Sequence, residues 1–205
     1  MDRLLQGYRE FRTDRWPAER ARYEELADKG QKPEYLIIAC SDSRSDPTTI
    51  FNARPGEFFV IRNVAAIVPP YEPYDDTHHG TSAAIAFAVL GLNVRNVLVM
   101  GHAQCGGVAA ALDPNLAAGI PFLQEWIQLL DPAWADSLNL TDSHARHEAM
   151  ERDCVRLSLQ RLLSFPFVEE RVRAGALALH GARFGIADGK LEILDQKTDT
   201  FVTVD

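Results

Sequence analysis

The sequence predicts an α/β fold with a mostly parallel central β-sheet flanked by helices, an N-terminal helical arm and a C-terminal edge hairpin. Apolar runs at residues 35–39, 57–63 and 96–100 have the length and composition of buried strands. Segments with helical patterns separate these runs, and strands that alternate with helices form parallel sheets with right-handed crossovers. The composition, 46% hydrophobic and 24% charged, is ordinary for a globular chain.

The composition also restricts the number of domains and the kind of partner. A chain of 205 residues is most economically one domain over 1–205, long enough to bury about 70% of its unfolded surface. The formal charge of −8, without a basic cluster, argues against nucleic acid or an anionic membrane as a partner. No apolar run approaches the roughly 18 residues of a membrane span, and the first residues lack a signal-peptide core. We therefore expect a cytoplasmic protein.

A helical arm precedes the first predicted strand. Residues 2–29 carry a broken apolar stripe between charged positions, and Pro17 is suited to start a second helix. We expect this arm, residues 1–30, to pack on a neighbouring subunit; the alternative is that it packs on its own domain.

A helix is predicted to start after the first strand, because Asp46 and Pro47 are the acidic cap and first-position proline of a helix.

The rest of the chain continues the alternation. Residues 64–77 contain three prolines and are predicted to form a loop. Residues 80–90 are apolar on nearly every face, which predicts a buried helix leading to the strand at 96–100. Further helices are predicted from Gly106 to Leu112 and at 123–130, 143–163 and 167–174, and strands at 176–180 and 190–194 end the sheet.

Reactive side chains directly follow the first and third predicted strands. Cys40, Asp42 and Arg44 come after the first strand, and His102 and Cys105 come after the third. The carboxyl ends of adjacent parallel strands form the crevice in which ligands bind. If these two strands are neighbours, the two cysteines and the histidine converge on one point.

Two thiolates and one imidazole form a ligand set suited to zinc, with distances of about 2.3 Å to sulfur and 2.0–2.1 Å to nitrogen. Three protein ligands leave a fourth position open, as in catalytic zinc sites, where a bound water becomes acidic enough to act as hydroxide. Because two thiolates cancel the formal charge of the metal, a nearby group must assist. Asp42 is placed to accept a hydrogen bond from that water, and Arg44 to hold the carboxylate ionised. The alternative is that Asp42 completes the zinc shell and makes the site structural.

The remaining cysteine and several histidines are expected to have structural roles. Cys154 lies among apolar residues of a helix and is predicted to be a buried thiol. His144 and His147 lie on a charged helix and are predicted to face solvent. His180, in a late strand, is predicted to be a hydrogen-bonded structural group.

At these residues the chain resembles the β-class carbonic anhydrases. The match covers nearly the whole chain in family order, through motifs at residues 40–44, 55–57, 62–65, 68–71, 101–107 and 179–181. The resemblance implies one Zn²⁺ per chain on Cys40, His102 and Cys105, with Asp42 and Arg44 as the catalytic dyad. The implied activity is the reversible hydration of CO2 to bicarbonate and a proton by hydroxide held at zinc.

The resemblance also implies a substrate pocket, matched here by Gln31, Phe59, Val64, Phe87 and the backbone of Gly106. Apolar walls suit CO2, which is small and uncharged, and an amide such as Gln31 can steady the bicarbonate that forms. Some pocket residues come from a second subunit in the family, so self-association to at least a dimer is implied. The alternative for the apolar members is plain core packing, and for Gln31 a surface position.

One group in the family closes its zinc with the aspartate and binds bicarbonate at a separate regulatory site, held by a tryptophan and a tyrosine. Ile37 and Phe184 occupy those positions here, which implies the open form with Asp42 paired to Arg44. Phe87 stands where plant-like members have a pocket tyrosine, so the tyrosine hydroxyl is missing from this chain.

Two other functions stay open for this chain: hydrolysis of a CO2 analogue such as carbonyl sulfide, and the role of a non-catalytic zinc-stabilised binding protein.

Overall fold

The computed structural model describes residues 1–73, 78–137 and 139–204. The helices are α1 (Asp2–Glu10), α2 (Trp16–Lys29), α3 (Pro47–Ile50), α4 (Gly80–Ala86), α5 (Gly106–Leu112), α6 (Leu123–Gln128), α7 (Trp134–Ser137), α8 (Ser143–Leu162) and α9 (Pro166–Arg173). The strands are β1 (Tyr35–Cys40), β2 (Phe58–Asn63), β3 (Asn96–His102), β4 (Ala178–Phe184), β5 (Leu191–Asp195) and β6 (Thr200–Thr203). Of the predicted loop 64–77, the last four residues lie outside the described part of the chain.

The six strands form one sheet in the order β2-β1-β3-β4-β5-β6. The first four are mutually parallel, and β5 and β6 add an antiparallel edge hairpin. This arrangement confirms the predicted fold class. The main differences from the sequence prediction are that β4 starts two residues later and runs on to Phe184, and that β6 was not predicted.

The sheet is covered on both faces, as expected for parallel strands. Along β1, Leu36 and Ile38 join a core cluster with Val155 and Leu159 of α8, while Ile37 and Ala39 face a second cluster. Helix α8 lies very close to β3 and β4 because glycines stand at the crossing. A Cβ placed on Gly181 would lie 2.9 Å from Val155 Cγ1 and 3.0 Å from Leu159 Cδ1.

The N-terminal arm lies on the surface of the chain. Helices α1 and α2 are joined by a π-helical turn and contain no buried residue. Arg22 Nε donates to the Pro55 carbonyl at 3.2 Å, and Leu4 and Tyr8 of α1 are exposed. Within one chain, the apolar stripe of α1 is therefore left uncovered.

The helical segment 80–91 differs from its prediction as a wholly buried helix. It consists of α4 and a π-helical turn at Phe87–Gly91. Ile85, Ala88 and Val89 are buried, but Phe87 and Leu90 are 54% and 53% exposed. The segment thus buries one face against the sheet and presents an apolar face outward.

Within the described residues, no helix combines the length and apolar character that crossing a membrane requires.

We predict that Gly181→Ala destabilises the protein, because the added Cβ would also lie 3.2 Å from Leu194 Cβ in a packed core. Overpacking of this kind costs about 1–3 kcal/mol in the free energy of unfolding. Gly80→Ala is the matched control, since a Cβ there meets no atom within 4 Å, and it should change stability by less than about 0.5 kcal/mol. Urea unfolding of both variants at one protein concentration measures the difference; equal effects would contradict the close helix–sheet packing.

Candidate metal centre

The two cysteines and the histidine converge at the carboxyl ends of two adjacent strands. Strands β1 and β3 pair in parallel, so that Cys40 at the end of β1 and His102 at the end of β3 come to the same edge. Cys105 follows three residues after His102, at the start of α5. The ligand atoms of the three residues lie within 4.8 Å of one another, and all three side chains are buried. The predicted convergence is therefore present in the structure.

The arrangement fits a tetrahedral zinc ion. The Cys40 and Cys105 sulfurs are 3.9 Å apart, and a tetrahedral metal with bonds of about 2.3 Å places two sulfurs about 3.8 Å apart. His102 Nδ1 lies 2.9 Å from the Ala103 carbonyl oxygen, which requires the proton on Nδ1 and leaves a lone pair on Nε2. That Nε2 atom is buried without a hydrogen-bond partner. The three atoms are placed so that they could hold one metal ion.

The two thiols also favour a bound cation electrostatically. A hydrogen bond from the Cys105 thiol lowers the pKa of Cys40 to about 4. The same contact, together with burial, raises the pKa of Cys105 above its usual range. Without a cation the pair therefore keeps one proton, because two adjacent buried thiolates repel each other. A divalent ion removes that obstacle, as thiolates are the form that binds zinc.

Asp42 and Arg44 form a bidentate ion pair beside the three ligands. Arg44 Nε donates to Asp42 Oδ1 at 3.0 Å and Nη2 donates to Oδ2 at 2.7 Å, while the Arg44 backbone N–H donates to Oδ1 at 2.9 Å. These bonds hold the pKa of Asp42 well below its usual range. Asp42 Oδ2 lies 4.0 Å from His102 Nε2, so the ionised carboxylate borders the ligand group while paired to Arg44.

Arg62 of β2 fixes the backbone of the segment that carries Cys40 and Asp42. Its Nε donates to the Cys40 carbonyl at 2.9 Å, and its Nη2 donates to the Asp42 carbonyl at 2.6 Å. Its Nη1 pairs with Asp46 Oδ1 at 3.1 Å. Sequence reasoning included Arg62 in a motif but gave it no role; only the strand pairing reveals what it binds.

The turns that flank the ligands have an uncommon backbone. Gln104, between two of the ligands, has φ 55°, and Ala65, in the turn after β2, has φ 64°. Left-handed residues other than glycine cost of order 1–3 kcal/mol each and often occur at functional sites. Arg44 Nη2 donates to the Gln104 carbonyl at 3.3 Å, which links the ion pair to the strained turn.

Two of the predicted pocket residues lie next to the ligand group. Gly106 opens α5 directly after Cys105, and Val64 starts the turn after β2. A Cβ on Gly107 would lie 2.7 Å from Val64 Cγ1, so the turn and α5 are in close contact. Trp126 Nε1 donates to the Val64 carbonyl at 2.9 Å and holds this position.

The other three predicted pocket residues lie elsewhere in the chain. Phe59 and Phe87 contact each other, with ring centroids 5.7 Å apart. Phe59 precedes Asn63, the residue paired with Cys40, by four positions, which is about 13 Å along the strand. Gln31 lies before the start of β1, at the end of the strand opposite Cys40. One chain alone does not bring these residues to the metal ligands.

Sequence reasoning missed three residues that support the site. The expectation that His147 faces solvent is wrong, because its Nε2 lies 3.3 Å from the Cys105 carbonyl. Glu151, one turn further along α8, accepts the Cys105 backbone N–H and pairs with Arg183 of β4. The spacing of His147 and Glu151 was a signal, since residues four apart share a helix face. Cys154 is a buried thiol, as predicted.

Comparisons with known proteins identify relatives of the whole chain. The family model described as carbonic anhydrase matches residues 35–191. The curated protein "Beta carbonic anhydrase 3" of Arabidopsis thaliana is 36% identical over 209 residues, covering 97% of this chain and 79% of that protein. A solved structure of the β-carbonic anhydrase CcaA superposes with a TM-score of 0.92 at 30% identity, covering 100% of this chain and 92% of that one. A tetrameric β-carbonic anhydrase from Sordaria macrospora has a TM-score of 0.75 at 31% identity, with 95% and 93% coverage.

We predict that Arg62→Met weakens the fold at the ligand-bearing segment. The substitution leaves two backbone carbonyls and Asp46 without their charged donor, which should lower the free energy of unfolding by about 2–3 kcal/mol. Arg20→Met removes only an exposed pair with Glu24 and should cost less than about 0.5 kcal/mol. Urea unfolding of the two variants tests this; an Arg62 variant as stable as the Arg20 variant would contradict the anchoring role.

Proposed function

Because the chain belongs to the β-class carbonic anhydrase family, we propose that Cys40, His102 and Cys105 hold its zinc ion and that Asp42 and Arg44 form its catalytic dyad. The protein is a zinc-dependent enzyme of this family and catalyses the reversible hydration of CO2 to bicarbonate and a proton. The observation that carries the residue assignment is the buried group of two sulfurs and one unpartnered imidazole nitrogen beside a paired carboxylate.

Zinc bound there lowers the pKa of water and so supplies a nucleophile near neutral pH. The role of Asp42 follows from its charge and position. As an ionised carboxylate it accepts a hydrogen bond from the attacking water and orients it toward carbon. Arg44 keeps that carboxylate ionised and prevents it from turning toward the ligands, because both of its oxygens accept from the guanidinium. This pairing supports an open site and argues against a closed, purely structural one.

The proposed substrate pocket requires a second copy of the chain. Val64 and Gly106 lie beside the ligands, whereas Gln31, Phe59 and Phe87 of the same chain do not. We therefore propose that these last three residues complete the pocket of a partner subunit. Phenylalanine and valine provide apolar walls for CO2, and the amide of Gln31 hydrogen-bonds bicarbonate.

The proposed assembly is at least a dimer of this chain, with 1–205 as one domain. The apolar stripe of α1 and the outward face of the segment 80–91 are exposed in the single chain. Exposed apolar surface of this kind is typical of a protein interface. The tetrameric Sordaria macrospora relative gives independent support for self-association.

We place the protein in the cytoplasm and give it no nucleic-acid or membrane partner. The net charge of −8 disfavours binding to polyanions. None of its three cysteines is in a disulfide, which fits a reducing compartment.

A stopped-flow assay of CO2 hydration tests the function. The purified protein should accelerate hydration, lose that activity when a chelator removes its metal, and regain it when zinc is added back. The same preparation should turn over carbonyl sulfide far more slowly. Unchanged CO2 hydration by protein shown to be metal-free would overturn the proposal.

We predict that substitutions of a proposed ligand and of the proposed base separate metal content from rate. Cys40→Ser should lose zinc and activity together, because it removes one of three ligands. Asp42→Asn should keep one zinc per chain and lose about 10–100-fold in rate, since an amide accepts a hydrogen bond from water less strongly than a carboxylate. Metal analysis beside the stopped-flow assay distinguishes the two. A fully active Asp42→Asn enzyme would remove Asp42 from the mechanism.

We predict that Leu90→Glu weakens self-association, because a charge would enter the proposed interface. Leu116→Glu makes the same change at a residue that is 55% exposed, compared with 53% for Leu90, but outside the proposed interface. Sedimentation equilibrium should show the mass of the Leu90 variant falling toward that of one chain while the Leu116 variant keeps the wild-type mass. If both variants kept the wild-type mass, the interface would have to lie elsewhere.

A further inference from the structure

A buried ion pair joins helix α8 to strand β4 next to the metal centre. Glu151 Oε2 accepts a hydrogen bond from Arg183 Nε at 2.7 Å, and the two residues are 2% and 6% exposed. Within the described part of the chain, Glu151 and Arg183 are the only buried residues with a carboxylate or guanidinium side chain. Apolar replacement of buried ion pairs is often neutral or stabilising, so fold stability does not explain the pair.

The second oxygen of Glu151 faces Cys105. The Cys105 backbone N–H donates to Glu151 Oε1 at 3.4 Å, and His147 Nε2 lies 3.3 Å from the Cys105 carbonyl. His147 Nε2 is also 3.4 Å from Glu151 Oε1. Because His147 and Glu151 are four residues apart, one face of α8 contacts both backbone polar groups of this residue.

Arg183 fixes the conformation of Glu151. Its Nη2 pairs with Glu148 Oε1 at 3.0 Å and its Nη1 with Glu192 Oε2 at 3.2 Å, so the guanidinium binds three carboxylates at once. A guanidinium held on three sides cannot turn, and the carboxylate it binds is held with it.

We propose that Glu151, backed by Arg183 and assisted by His147, is a positioning residue that fixes the Cys105 peptide and so aims its thiolate at the metal. Cys105 needs such support because it follows the left-handed Gln104 and lies outside the ladder of β3. The direction of a sulfur depends on the peptide that carries it, and groups that orient metal ligands contribute about 10–100-fold to metal affinity. The inference rests on the proposed function, in which Cys105 is a zinc ligand.

The test compares Glu151→Gln with Arg152→Met. In the Gln variant an amide NH2 replaces one acceptor, so either the Cys105 N–H or Arg183 loses its partner. Arg152 is the matched control, because its side chain pairs with Glu148 and Glu192 of the same network and is not hydrogen-bonded to Glu151 or Cys105. Zinc affinity is measured by competition with a chromogenic chelator, and ligand geometry by the thiolate charge-transfer band of the cobalt-substituted protein.

We expect Glu151→Gln to weaken zinc binding about 10–100-fold and to shift the cobalt band, while Arg152→Met leaves both near the wild-type values. Wild-type affinity in the Gln variant, or equal losses in both variants, would overturn the positioning role and leave the proposed function intact. Wild-type protein that binds no zinc would instead overturn the proposed function, and this inference with it.

A second pair of variants applies if Glu151→Gln does not fold. His147 is partly exposed, so His147→Leu should fold, and it removes the donor to the Cys105 carbonyl. We expect it to weaken zinc binding about 10-fold. His147→Gln, whose amide N–H can donate to the same carbonyl, should restore most of the affinity. A Leu variant with wild-type affinity, or a Gln variant no better than Leu, would overturn the proposal.

Discussion

The structure depends on bringing two cysteine sulfurs and one imidazole nitrogen together in a buried place. The sulfurs of Cys40 and Cys105 lie 3.9 Å apart, and the facing nitrogen of His102 has no hydrogen-bond partner. Buried thiolates and an unpartnered buried nitrogen are both costly without a cation. The parallel pairing of β1 with β3 and the left-handed backbone at Gln104 bring the three atoms together, because these atoms come from two neighbouring strand ends.

Several side chains support this centre through hydrogen bonds to backbone peptide groups, in addition to bonds between side chains. Arg62 binds the carbonyls of Cys40 and Asp42, and Arg44 binds the carbonyl of Gln104. Glu151 accepts the N–H of Cys105. A thiolate must stay free to bind metal, so its direction is best controlled through the backbone that carries it. Arginine suits this task because one planar guanidinium can donate to a carbonyl and a carboxylate at the same time.

Most of the sheet could be predicted from apolar runs, and the ligand group from residues that follow two of those runs. The errors came from long-range contacts. A strand was predicted at 176–180, yet β4 continues through Gly181 to Phe184, and α8 packs closely against the glycine there. His147 was predicted to face solvent from its charged neighbours, but the docking of α8 turns it toward Cys105. Glu151 is buried in an ion pair with Arg183, which lies 32 residues away in the sequence. The local sequence pattern of α8 gives no sign of this pairing.

The proposed pocket shows what one chain cannot supply. The register of β1 and β2 places Phe59 four residues before the level of Cys40, and no side-chain rotation changes a strand register. The apolar pattern of residues 80–90 predicts burial on nearly every face, yet Phe87 and Leu90 face outward in the single chain. One explanation accounts for both the distance of Phe59 from Cys40 and the exposure of Phe87 and Leu90. In the proposed dimer, a second copy packed on this face would bury the exposed side chains, and Phe59 and Phe87 would contribute to the pocket of that copy.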